Sequence, residues 1–187
     1  MRKIARYIIG ALALVAMGCA SGSKVSATPA EIEALDNLVA NQSFEINARW
    51  ALPMPSQALN SISNANLLPI GSNASRIDLT GNASYLRMVG DHVEADLPYF
   101  GERQLSGGYN PQRTGIQFEG MAENLKIEPN TKTKGYTMRF DINNGLESYQ
   151  VIAQLMPSRS STFSVVSSHR TQIRYEGILS EYSEDED

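Results

Sequence analysis

His92, Glu94 and Asp96 alternate with Val93, Ala95 and Leu97, so on a strand one imidazole and two carboxylates share a face. These are donors for a divalent ion. A strand rise of about 3.3 Å per residue, however, spreads His92 and Asp96 about 13 Å apart, too far for a single metal. The spacing describes a solvated sheet face, and no metal site is assigned. Ser168, His169 and Asp141 supply the residue types of a nucleophile, a base and an orienting acid. No G-x-S-x-G elbow or comparable turn presents a serine, and residue types without geometry do not make a hydrolase. No carboxylate pair stands out as the acid and nucleophile of a glycosidase. The chain is therefore read as non-enzymatic, with no catalytic residue and no cofactor. Leu97-Pro98-Tyr99-Phe100-Gly101 is the most distinctive segment. Proline fixes its backbone, the adjacent aromatics must point in different directions, and Gly101 permits a turn. Such a corner ordinarily caps a core; its alternative use is contact with a ligand or partner. Tyr99, Phe100 and, near the end of the chain, Arg170 are the candidate contacts. Tyr175 falls in an inward row with Ile173, Gly177 and Leu179.

The single cysteine carries a different chemistry. With one Cys and two His in 187 residues, an intramolecular disulfide and a zinc-finger type of site are excluded. A basic start, Met1 to Arg6, precedes an apolar run from Tyr7 to Met17 and then Gly18-Cys19. A run this short suits a signal-peptide core rather than a membrane span, which needs about 20 residues. Ala16-Met17-Gly18-Cys19 resembles the lipobox of bacterial lipoproteins, whose cysteine becomes the lipidated first residue. Several acyl chains, palmitate among them, give stable anchoring where one gives marginal binding. Residues 1–18 are the expected signal peptide and 19–28 a flexible, lipidated tether. Removing residues 1–18 also removes three basic groups, leaving 169 residues with 13 basic against 20 acidic and a net charge of −7. That balance excludes nucleic acid as a partner and disfavours electrostatic attachment to anionic lipid. Ala20-Ser21 stands where an acidic residue resembles an inner-membrane retention signal. The expected location is the outer membrane, lipid-anchored on its periplasmic face.

The elements that position these residues are legible in the hydrophobic periodicity. Thr28 before Pro29, with Glu31 three residues on, predicts a helix start. Ile32, Leu35, Leu38 and Val39 form one apolar stripe over about three turns. Beyond Asn41 the period becomes two, with Phe44, Ile46, Ala48, Trp50 and Leu52 on one side. Further strands are expected at 76–80, 84–89, 92–97, 115–119, 124–128, 136–142, 146–155, 162–166 and 172–179. A tight turn through Gly90-Asp91 joins two of them. Asn143-Asn144-Gly145 marks a hairpin between inward rows Tyr136, Met138, Phe140, Ile142 and Tyr149, Val151, Ala153, Leu155. From Pro53 to Ser75 the chain is rich in Asn and Ser around Leu67, Leu68 and Ile70. A bare loop of this length is unusual in a compact domain, so part of it is expected as short strand or draped over the core. Nine or ten short strands with no helix between them predict an all-β, mainly antiparallel sandwich or barrel over residues 29–180, with one short N-terminal helix. Residues 181–187 are an acidic, solvated tail.

Tyr85-Leu86-Arg87-Met88-Val89-Gly90-Asp91, Leu97-Pro98-Tyr99-Phe100-Gly101, Gly115-Ile116-Gln117-Phe118, Ser167-Ser168-His169-Arg170 and Ile173-Arg174-Tyr175-Glu176-Gly177 together resemble the domain-of-unknown-function 4251 family. These are lipoproteins and secreted proteins of Bacteroides-type bacteria. The resemblance runs over roughly residues 35–180. It implies an antiparallel β domain behind a lipobox and supplies no activity or catalytic residues. Three function classes follow. A binding or accessory envelope module, for an apolar molecule, a glycan or an envelope protein, would favour a closed barrel with an apolar cavity. A structural or assembly protein would show a packed core and an exposed apolar patch. An envelope hydrolase would show a cleft of convergent ionisable groups.

Overall fold

The computed structural model describes residues 27–104 and 115–183; Cys19, the leader and most of the tether lie outside them, as does the end of the acidic tail. Helix α1 (Pro29–Asn41) begins as its sequence requires. The Glu31 amide donates to the Thr28 hydroxyl and the Thr28 amide to the Glu31 carboxylate, a complete capping box with Pro29 in the first turn. It ends at Gln42, which adopts the left-handed region (φ 48°) and returns its N–H to the Val39 carbonyl. Leu35, Leu38 and Val39 are buried, and the Tyr136 hydroxyl donates to Asp36 at 2.8 Å. The helix thus covers the barrel end where β1 begins.

The strands are β1 (Ser43–Pro53), β2 (Ile77–Asp78), β3 (Tyr85–Val89), β4 (His92–Leu97), β5 (Ile116–Met121), β6 (Glu123–Asn130), β7 (Gly135–Asn144), β8 (Glu147–Leu155), β9 (Ser160–Ser167) and β10 (Ile173–Glu181). All pair antiparallel in the order β5-β4-β3-β1-β10-β9-β8-β7-β6, with β2 on β1. The two edge strands, β5 and β6, are separated in sequence only by Ala122. One linking residue cannot span a flat sheet of nine strands, because consecutive Cα atoms lie about 3.8 Å apart. The sheet must curl until its edges meet, which makes it a nearly closed barrel. β5 and β6 are in effect one strand that changes partner from β4 to β7. The change occurs at Ala122, whose N–H donates to the Asp91 carbonyl at 2.8 Å. At the seam the Asn144 side chain donates to the Gln117 carbonyl at 2.6 Å, and Phe118 packs against Phe140 and Tyr149.

Inward rows follow the alternation in most strands. Met138, Phe140 and Ile142 on β7, Tyr149, Val151, Ala153 and Leu155 on β8, and Ile173, Tyr175 and Leu179 on β10 are all buried. Tyr136 is only partly so, since its hydroxyl reaches out to α1. The β7–β8 hairpin closes through Gly145-Leu146, with Gly145 at φ +66° in the first turn position, where a side chain would be strained.

Two expectations change. A bulge between Ala48 and Trp50 inserts an extra residue into β1, so Ala51 and Pro53 become the inward residues, while Trp50 and Leu52 are only partly buried. The 53–75 stretch contains a second helix, α2 (Gln57–Asn64), rather than strand. Its N-cap Ser56 accepts from the Leu59 amide, and Leu59 is its one buried residue. Asn and Ser are weak helix formers in isolation, so the cap and the docking of Leu59 carry the helix.

Candidate functional site

The barrel end remote from α1 gathers the residues singled out in the sequence. Strand directions bring the end of β4, the start of β5, the β7–β8 hairpin, the end of β9 and the start of β10 to this one rim. Pro98 starts the segment that crosses it. The Tyr99 hydroxyl lies 2.8 Å from the Thr171 hydroxyl and 3.0 Å from the carbonyls of both Glu102 and Thr171. Phe100 is half-buried and packs on the core. The Thr171 amide donates to the Glu102 carbonyl and the Gln104 amide to that of His169, so the 98–104 segment is laced to residues 169–171.

Arg170 is the centre of this lacing. Its Nε and Nη2 donate to the two Glu147 oxygens at 2.7 and 3.1 Å, a bidentate pair, and its Nη1 donates to the Gly115 carbonyl at 2.7 Å. The guanidinium stands 5.2 Å from the Tyr99 ring centroid. Glu147 also accepts from the Ser167 and Tyr149 hydroxyls. Burial alone would raise the Glu147 pKa, but these hydrogen bonds and the adjacent positive charge hold it below the ordinary carboxylate value. Burial pushes the Tyr149 and Tyr175 phenols up, Tyr149 further through its bond to Glu147. The Tyr175 hydroxyl, stacked beside Phe163, donates to the Pro98 carbonyl at 2.8 Å. Arg170 and Tyr99 therefore meet, but their polar atoms bind the protein itself. The arrangement clamps five chain segments together at the rim. Glu147, the partner that completes it, was not singled out in the sequence, although its place beside the Asn144-Gly145 turn puts it on this rim.

The other combinations separate. The Ser168 hydroxyl lies 2.7 Å from His169 Nδ1, whereas the Asp141 carboxylate accepts from Asn124 and Gln150. Glu94 is occupied by the Tyr85 hydroxyl and by Arg87, the latter at 2.8 Å. Burial and that bond to Glu94 push the Tyr85 phenol up to about 12. Asp96 accepts from Gln117, and His92 is exposed. Among the described residues no group of three His, Cys, Asp or Glu converges to hold a metal, and no helix is long and apolar enough to cross a membrane.

Unforeseen in the sequence is an apolar exposure on the segment after β1: Met54 is 56% exposed, Ile62 41%, Leu67 73% and Ile70 100%. The segment leaves β1 at the Arg170 end of the barrel, where Leu146 also stands 89% exposed at the hairpin tip.

This geometry agrees with what the chain is similar to. A crystal structure of a DUF4251 family protein from Bacteroides eggerthii DSM 20697 superposes with a TM-score of 0.55 at 10% identity, covering 81% of this chain and 88% of that one. At that identity it speaks for the fold alone. No curated protein matches the chain. A family model described as Domain of unknown function (DUF4251) matches residues 27–179, and the chain is a member of that family.

Proposed function

We propose that the protein is a non-enzymatic envelope lipoprotein, held by lipid on Cys19 at the periplasmic face of the outer membrane, that docks another envelope protein through residues 54–70. The observation that carries this reading is the exposure of Met54, Ile62, Leu67 and Ile70 on one segment. Large apolar side chains left exposed among the polar residues of one segment suit a protein contact surface. The barrel interior, by contrast, is occupied by Phe44, Phe140, Phe163 and Tyr175, each fully buried, which argues against a ligand held among the inward rows. Each of Leu67 and Ile70 would contribute roughly 1.5–3 kcal/mol if a partner covered it fully. The anchor rests on the leader and on Cys19, and the tether would place the domain near the membrane without inserting it.

A photo-crosslinking residue placed at Ile70 or Leu67 in cells tests the docking. The expected product is one discrete adduct that is absent when the crosslinker stands at exposed Arg139 on β7. Equal, diffuse crosslinking from all three positions would refute it.

A further inference from the structure

Strict alternation would send Trp50 into the core, and the β1 bulge turns it out instead. Arg49 is the extra residue, and its carbonyl accepts from the Leu79 amide at 2.9 Å, which holds the bulge in place. Trp50 now sits opposite Glu176 on β10, and Glu176 sits opposite Thr162 on β9. The three side chains form an outward row about 10 Å long across adjacent strands. With Arg49 and Ser160 they line a surface groove of about 440 Å³. Arg76 lies with its guanidinium 4.1 Å over the indole and 3.2 Å from the Glu176 carboxylate. A bulge that re-aims one large side chain onto an open face is a feature to be explained by what that face does.

We propose that this groove is a saccharide-binding subsite. A sugar ring presents an apolar C–H face and a rim of hydroxyls. Its recognition needs an aromatic plane together with short hydroxyls and planar charged groups at the plane's edge. Trp50 supplies the plane, Glu176 and Arg76 supply an acceptor and a donor fork for neighbouring hydroxyls, and Ser160 and Thr162 complete the far side. The groove mixes guanidinium and carboxylate groups on an acidic chain, which does not suit a polyanion. The Arg76–Glu176 pair is exposed on both sides, at 48% and 40%, and such pairs open readily. Arg76 therefore covers the indole in the free protein and turns to the sugar hydroxyls as the ring takes its place. The site is separate from the 54–70 segment and stands without it.

Trp50 is the chain's only tryptophan, so its fluorescence reports this groove alone. The mature chain is titrated with neutral oligosaccharides of hexose, pentose and N-acetylhexosamine type, with adenosine monophosphate as the competing chemistry. The expected result is a saturable emission change with at least one sugar type and none with the nucleotide. Glu176→Gln should weaken that binding by about tenfold, the loss of one charge-assisted hydrogen bond, without changing the melting temperature. Arg76→Gln gives a second variant on an exposed side chain. Silence across the sugar panel, a response to the nucleotide alone, or sugar binding undiminished in both variants would overturn the proposal. None of these outcomes touches the docking of residues 54–70, which crosslinking from Ile70 decides.

Discussion

Removing either member of the Arg170–Glu147 pair should destabilise the barrel far more than removing both would suggest by addition. Arg170 is 6% exposed and the Glu147 side chain 17%, so each loses most of its water on folding and is compensated by the other. Breaking a buried pair on one side costs about 3–5 kcal/mol, because the remaining charge stays buried. For Arg170→Met the expected loss is near the lower bound, about 3 kcal/mol, since Glu147 keeps the Ser167 and Tyr149 donors and can take up a proton. Glu147→Gln retains an acceptor but leaves Arg170 charged and buried, and should cost about 3–4 kcal/mol. The double variant leaves no orphaned charge and should cost about 2–4 kcal/mol, at least about 1 kcal/mol less than the sum of the singles. Urea unfolding at neutral pH with a constant slope measures all four corners. The pH dependence gives an independent sign. Glu147 titrates below the ordinary glutamate value in the folded chain, so its contribution is fully present above that ordinary value. It is lost as pH falls through the lower folded one. Glu147→Gln should therefore flatten the fall of stability below about pH 5. Additive single and double variants, or an Arg170→Met cost under about 1 kcal/mol, would refute the clamp.

Smaller perturbations should separate packing from hydrogen bonding. The Ser161 hydroxyl is buried without a partner among the described residues, so Ser161→Ala should stabilise by about 1 kcal/mol and raise the melting temperature by about 2–4 °C in a thermal scan. Tyr175→Phe leaves the Pro98 carbonyl without its donor and should lower urea-unfolding stability by about 1–2 kcal/mol. A Cβ at Gly177 would lie 2.3 Å from the Asn47 carbonyl oxygen, so Gly177→Ala must push β1 and β10 apart. It should cost about 3 kcal/mol by the same assay.

Local signals translated into structure well. The Thr28–Glu31 capping box, the Gly90-Asp91 turn and the Asn144-Gly145 hairpin each depend on a few adjacent residues, and the inward rows of β7, β8 and β10 depend only on period two. The Trp50 bulge was not legible, because one extra residue leaves no compositional mark and the side chains flanking it still alternate. Helix α2 hid behind residues of weak helix propensity, although Ser56 was available as its cap. Barrel closure lay in the brevity of the β5–β6 link, which looks in sequence like two strands and a turn. Tyr99, Phe100 and Arg170 could be picked by type, but their shared rim depends on strand order. Glu147 is 23 residues from Arg170 and became its partner only through the β8–β9–β10 pairing.

The most direct test of the account is to replace Leu67 and Ile70 together by serine in the full chain and to crosslink it gently in its native envelope. Mass spectrometry then identifies what co-purifies with the wild type and with the variant. Both side chains are exposed, so the melting temperature should not move. The variant should remain membrane-associated and lose the principal protein captured by the wild type. An unchanged set of captured proteins would contradict it.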